Sequence, residues 1–300
     1  MTRKTNEERL GLPSTGAKES GAVPFVANDS FEERGGPVLT YVTPTSMIDL
    51  PSQGKYYEEG HPLHGRDSVE IKEMTAKEED LLTSKSLIKK GIVFDRLLQS
   101  LLIDKSFKIE DMLIGDKNAL LIGARIAGYG PEYKTSVMCP GCGLTSVHTF
   151  DLDSCPLKGP IDWDSVEDEE LKEHAQETPV GTFLIRLPKT GVTAEVKLLT
   201  GVDEKRVSAI SEMKKKKKIE DRPLIEHFKS FVVSLDGVEN FGKIESFLEN
   251  MPASDSRFLR KVFTKLTPNI EMKQEFVCEE CDHEQAMEVP FTADFFWPDR

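Results

Sequence analysis

The chain has no long apolar run, no surplus of basic residues and no regular spread of cysteines, and each absence removes a class of protein. No stretch of its 300 residues approaches the roughly 20 uninterrupted apolar positions of a membrane span. The opening MTRKTNEERLGLPS lacks the apolar core of a secretory signal, so the expected compartment is a reducing cytoplasm. Lys and Arg number 39 against 52 Asp and Glu, for a formal charge of −13. That balance argues against broad electrostatic binding of nucleic acid, which relies on clustered cations neutralising phosphates, but it does not exclude a local basic patch. Five cysteines are too few and too unevenly placed for a disulfide framework. GxSxG, Walker, HExxH and GxGxxG patterns are all missing, and no enzyme is expected.

What remains is a soluble globular profile, 38% hydrophobic and 30% charged, long enough for one large domain or two modest ones. Residues 1–45 are rich in Gly, Pro, Ser, Thr and charge, and read as a disordered N-terminal arm. Val69 and Ile71 alternate with polar neighbours and predict a short strand. Thr75 and Glu78 fit a capping box, and Leu81, Leu82 and Ile88 form the apolar face of the helix it opens. Beyond Gly91, the spacing of Phe94, Leu97, Leu98 and Leu101 predicts a second helix. A third follows Asp116 through Leu120, Leu121, Ala124 and Ile126. Residues 135–150 read as strand, CPGC turn, strand. An acidic linker from Asp151 to Thr178 leads to a hairpin, where Phe183, Ile185 and Leu187 face Val192, Ala194, Val196 and Leu198.

A helix from Val202 runs into Lys214 to Lys218, and another opens at Pro223 with Leu224, Phe228, Phe231, Val232 and Leu235 on one face. Ser254 caps the last helix, which bears Phe258, Leu259, Val262, Phe263 and Leu266. Strands then flank CEEC before the tail FFWPDR. The expected fold is α+β, a helical bundle plus short antiparallel strands with a split four-cysteine, zinc-ribbon-like site. Its single body, 46–300, divides into a helical lobe 74–128, a knuckle 135–150, an inserted hairpin and helical lobe 179–268, and a closing knuckle with aromatic tail 269–300.

The cysteines carry the strongest chemical signal. Cys139 and Cys142 in VMCPGCG, and Cys278 and Cys281 in FVCEECD, each sit between strand-patterned runs. Gly143 permits the positive φ that a metal knuckle needs, and Asp282 holds the equivalent place with less tolerance. Four thiolates suit one structural zinc with no open position for water. Nearly half the chain separates the pairs, so the metal would clamp the end of the chain to its middle. Structural zinc is worth roughly 10 to 16 kcal/mol in small peptides, much of it offset here by ordering both knuckles. Reduced thiols and a redox pair are the other readings, although a thioredoxin-like CxxC should open a helix. Cys155 reads as a lone thiol, and His148 and His283 as solvated side chains.

Other clusters have plainer explanations. The lysine run suits the negative end of a helix dipole, and the acidic crowd from Asp162 to Glu170 lacks EF-hand spacing. His61 and His64 flank Pro62 with no ligand beside them. Phe295, Phe296 and Trp297 either dock into the protein's own core or anchor a partner.

The runs LPSQGKYYEEGHPL, EIKEMTAKEEDLLTSKSLIKKGIVFDRLLQSLL, GDKNALLIGARIAGYG and CPGCG, with ENMPASDSRFLRK, the second CxxC and FFWP, span residues 46–300. Together they resemble the baseplate hub and hub-assembly protein family of large contractile-tailed bacteriophages. The resemblance implies a non-enzymatic structural subunit or assembly chaperone, with phage hub or tail-tube proteins as partners. It places the protein in the host cytoplasm during assembly and points to the tail baseplate of the virion. Two alternatives stand beside it: a nucleic-acid-binding zinc-ribbon regulator, motivated by the knuckles and the lysine run, and a thiol oxidoreductase.

Overall fold

In the five residues from Thr45 to Asp49, Ser46 and Ile48 turn inward while their neighbours face solvent. They form β1 (Thr45–Asp49), paired antiparallel with β2 (Ser68–Lys72) so that Ile48 lies opposite Val69. The alternation expected at Val69 and Ile71 is thus real. The strand before it escapes a sequence reading because its inward face carries one large apolar side chain. The computed structural model describes residues 43–89, 91–217, 222–290 and 293–296, so nearly all of the expected arm lies outside the described residues.

Helices α1 (Ala76–Thr83), α2 (Lys85–Lys89), α3 (Val93–Leu101) and α4 (Ile114–Tyr129) build the first lobe. The capping box forms, with Thr75 donating its N–H and hydroxyl to the Glu78 carboxylate at 3.2 and 2.5 Å. Leu82, Leu97, Leu98 and Leu101 are buried, whereas Ile88 is 48% exposed. The core of α4 is entered by backbone as well as by side chains. A Cβ on Gly115 would stand 2.0 Å from the Pro268 carbonyl oxygen, so only glycine lets that crossing close. Asp116, fully buried in the first turn of α4, accepts the Ser52 N–H, the Ser52 hydroxyl and the Tyr57 hydroxyl at 2.9, 2.6 and 2.7 Å. These bonds tie the 50–57 loop to the helix.

Strands β3 (Glu132–Met138) and β4 (Thr145–Asp151) form the first knuckle hairpin, and β5 (Leu157–Lys158) follows. In the acidic stretch that follows, Asp162, Asp164, Glu167 and Glu169 are exposed, as solvated charge should be, but the stretch is not all linker. Asp168 caps α5 (Glu169–His174), Leu171 is buried, and Asp168 and Glu170 form ion pairs with Lys265 and Lys261. The expected hairpin is the centre of a four-stranded antiparallel sheet, in the order β6 (Ala175–Glu177), β7 (Phe183–Arg186), β8 (Thr193–Val196) and β9 (Val232–Leu235). Phe183, Ile185, Ala194 and Val196 are fully buried there.

Between the last two strands lie α6 (Gly201–Lys217) and α7 (Pro223–Phe231), the latter opening on its proline as expected. Val232 and Leu235 do not continue that helix. They belong to β9, where branched Val232 and Val233 suit a pleated edge, and the pairing with β8 shifts between Glu195 and Val196.

Helix α8 (Phe241–Asn250), capped by Asn240, has no counterpart in the sequence reading. In α9 (Ala253–Leu266) the cap position is Pro252, not Ser254. Asp255 instead reaches across to accept the Lys189 and Thr190 N–H groups, both at 2.9 Å. Short β10 (Asn269–Ile270) pairs with β5, and β11 (Lys273–Val277) with β12 (Glu284–Glu288) forms the second knuckle hairpin. A final 3-10 turn, Ala293–Phe296, buries Phe295 and Phe296. The described residues from Thr43 onward belong to one compact unit.

Candidate metal centre

The two hairpins end in the same hydrogen-bonded turn, written twice. In the first, the Cys139 N–H donates to the Leu144 carbonyl at 2.8 Å and the Gly143 N–H to the Cys139 carbonyl at 2.9 Å. In the second, Cys278 donates to His283 and Asp282 to Cys278, both at 3.0 Å. The closing residue takes positive φ in each, +73° at Gly143 and +53° at Asp282. The glycine adopts this at little cost, whereas the aspartate carries the left-handed penalty of a residue with a Cβ.

These turns aim four sulfur atoms at one point. Cys139 and Cys281 approach to 3.8 Å, as do Cys142 and Cys278, and all four Sγ atoms lie within 4.8 Å of one another. Zinc–sulfur bonds of about 2.3 Å at the tetrahedral angle would place sulfurs roughly 3.8 Å apart, so the cage has the size a tetrathiolate ion requires. Cys139 and Cys278 are buried, and Cys142 and Cys281 are exposed. No disulfide joins them.

The surrounding N–H groups bias the sulfurs unequally. The Cys142 N–H, outweighing burial and helped by the Gly141 N–H, pulls the Cys139 thiol down to about 6. At Cys281 the His283 N–H pulls the same way, but burial and the neighbouring Cys142, Cys278 and Cys139 sulfurs drive that thiol up to about 12. A second thiolate beside the first is disfavoured, and a bound cation reverses this logic by stabilising all four.

The roots of the hairpins are held by different chemistry. The Tyr133 hydroxyl donates to the Pro290 carbonyl at 3.1 Å, and Gln274 exchanges bonds with the Asp151 backbone at 3.1 and 2.5 Å. Arg125, fully buried on α4, donates to the carbonyls of Phe295, Gly130 and Glu132 at 2.6, 2.8 and 3.1 Å. It thereby joins the end of α4, the start of β3 and the C-terminal turn. Nothing in the sequence marks this arginine except its place between apolar Ala124 and Ile126.

The remaining candidates separate from the cluster. Cys155 is buried, with the Gln274 amide 3.2 Å from its sulfur. His148 is not simply solvated, because it packs edge-on against Phe150 and Phe276 at 4.7 and 5.1 Å. The His283 ring covers Gly141, where an added Cβ would come within 2.9 Å of it. In the lysine run, Lys214 pairs with Glu226 at 2.7 Å, while Lys218 lies outside the described residues. Phe295 and Phe296 dock into the protein's own core, and Trp297 lies outside the described residues. Among the described residues no helix is long and apolar enough to cross a membrane.

A family model described as "T4 bacteriophage base plate protein" matches residues 43–297. No curated protein and no solved structure matches the chain.

Proposed function

Because the chain belongs to the T4 bacteriophage base plate protein family, we propose that it is a non-enzymatic hub component or hub-assembly chaperone that binds other tail proteins. The family match across residues 43–297 carries this reading. The assembly step takes place in the host cytoplasm, with hub or tail-tube proteins as partners and the tail baseplate as destination.

Cys139, Cys142, Cys278 and Cys281 hold one structural zinc, a role supported by their spacing and by the softness of an all-sulfur donor set. The ion supplies charge neutralisation and cross-linking. The protein supplies two preformed turns whose N–H groups hold thiolate, as the Gly141 N–H does 3.3 Å from the Cys139 sulfur. With all four positions taken by sulfur, the site stiffens the tips and activates no water.

The test is a phage lacking this gene, together with affinity purification of the tagged protein from infected cells. Defective baseplates and co-purified hub or tube proteins are the expected result. Normal particles and no tail protein on the resin would overturn the assignment. Mass spectrometry of purified tails distinguishes a resident subunit from a chaperone by the presence or absence of this chain.

A further inference from the structure

Helix α6 has 17 residues, yet only Gly201 and Asp203 in it are buried. It is held on the body chiefly by ion pairs. Lys205 reaches Asp95 and Glu110 at 3.0 and 2.8 Å, Glu204 meets Lys117 at 2.7 Å, and Lys214 meets Glu226 at 2.7 Å. Along its inner side, Val207, Ile210 and Met213 face a cleft of about 670 Å³ whose far wall is Val233 on β9 and Phe241 at the start of α8. Met213 is 46% and Phe241 58% exposed, so the wall is apolar and open.

The charge around this cleft is opposite to that of the chain. Four cations, Lys197, Arg206, Lys214 and Lys229, stand against three acids, Glu226 and Glu245 in the wall and Asp203 paired with Lys197 at 2.8 Å, which leaves a small positive excess in a protein whose formal charge is −13. Arg206 keeps most of its side chain in solvent and makes one long 3.5 Å contact to Asp203. Exposed Lys215 and Lys217 extend the positive field past the end of the cleft.

We propose that the cleft between α6 and α7 is a docking groove for an acidic amphipathic helix of a partner protein. The apolar ridge at 207, 210 and 213 repeats at the interval that receives a helix laid along it, and the basic rim meets acidic residues flanking that helix's apolar stripe. A phosphate polymer fits less well, because it would leave the apolar wall uncovered and face Glu226 and Glu245. The groove deepens the assembly reading by stating a partner's chemistry, and it rests on that reading only in taking the partner to be a tail protein.

The experiment is fluorescence anisotropy on the full-length protein with dye-labelled designed peptides of about 16 residues. One is a Leu- and Glu-rich amphipathic helix, and one is the same composition scrambled to destroy the apolar stripe. A single-stranded oligonucleotide serves as competitor. The amphipathic acidic helix is expected to bind, the scrambled one to bind at least about tenfold more weakly, and binding to fall steeply with salt. Arg206→Glu and Met213→Asp, both at exposed positions, are each expected to weaken it about tenfold while thermal unfolding stays unchanged. No binding, equal binding of the scrambled peptide, indifference to both substitutions, or displacement by the oligonucleotide would each overturn the groove. Binding together with normal assembly of the deletion phage leaves the groove standing and removes the assembly reading.

Discussion

At the tips of the paired hairpins, residues 139–144 and 278–283 bring together four sulfur atoms, two of them on exposed cysteines. At the roots of the same hairpins, Arg125, Tyr133, Phe150, Phe276, Phe295 and Phe296 are fully buried, and the Arg125 side chain bonds to three backbone carbonyls, two at the 130–132 turn and one at Phe295. One end has almost no hydrophobic packing and, with the zinc proposed above, would depend on an ion. The other is closed by packing and hydrogen bonds that need none. On the proposed zinc site, closing a loop of nearly half the chain would be shared, the metal ordering the tips and the buried root carrying the global fold.

The largest effect is expected at the root. Arg125→Met keeps much of the volume but leaves the carbonyls of Phe295, Gly130 and Glu132 without their donor, at about 3 to 5 kcal/mol in a urea titration. A loss under 1 kcal/mol would move the weight of the fold to the tips. Chelating the metal comes next. With free zinc about a hundredfold above its dissociation constant, linkage gives about 2.7 kcal/mol, and Cys278→Ser should abolish both the bound zinc and this difference. Equal urea midpoints with and without chelator would contradict a metal-held tip.

Acid sharpens the contrast, because Glu78 lies in the helical lobe with no tie to the metal. Burial would raise its carboxyl, but the Lys72 ammonium 2.7 Å away and the Thr75 hydroxyl and N–H outweigh it and hold the group at about 2. A carboxylate depressed on folding adds stability that is fully present above its unfolded value near 4.5 and is lost as pH falls toward 2. Measured on the chelated protein, this contribution should be on the order of 1 to 2 kcal/mol and should vanish in Glu78→Gln. An unchanged pH profile in that variant would place the acid sensitivity elsewhere.

The smallest effects compare the two knuckles with each other. Gly143→Ala puts a Cβ on a left-handed residue and should cost about 1 to 2 kcal/mol of zinc-loaded stability, whereas Asp282→Gly relieves the same strain and should gain up to about 0.5 kcal/mol. Losses of equal size at both positions would mean that the turns are not equivalent.

Much of this division was legible before the structure. The cysteine spacing, the strand pattern on either side and the glycine after the first pair contain the tip almost completely, because knuckle chemistry is local. Helices α1, α3 and α4 announce themselves by periodicity, and α1 also by its capping box. The root is hidden because its bonds run from one side chain to backbone carbonyls, one of them 170 positions away, which carry no residue identity. Asp116 gave no sign of holding Ser52 and Tyr57 because those hydroxyls stand 64 and 59 positions away in the chain. Strand β9 was concealed by Phe228, Phe231, Val232 and Leu235, whose spacing also fits a helix, until β8 supplied an edge to pair with. In the acidic stretch at 162–170 most of the charge does face solvent, but the ion pairs of Asp168 and Glu170 were hidden because their lysine partners lie far along the chain in α9.

Hydrogen exchange of the full-length protein, zinc-loaded and chelated, tests the division between tip and root most directly. The amides of 139–144 and 278–283 should lose protection when the metal is removed, while those of 117–129 and 132–135 around Arg125 keep theirs. Uniform loss across both regions, or no change at the tips, would contradict it.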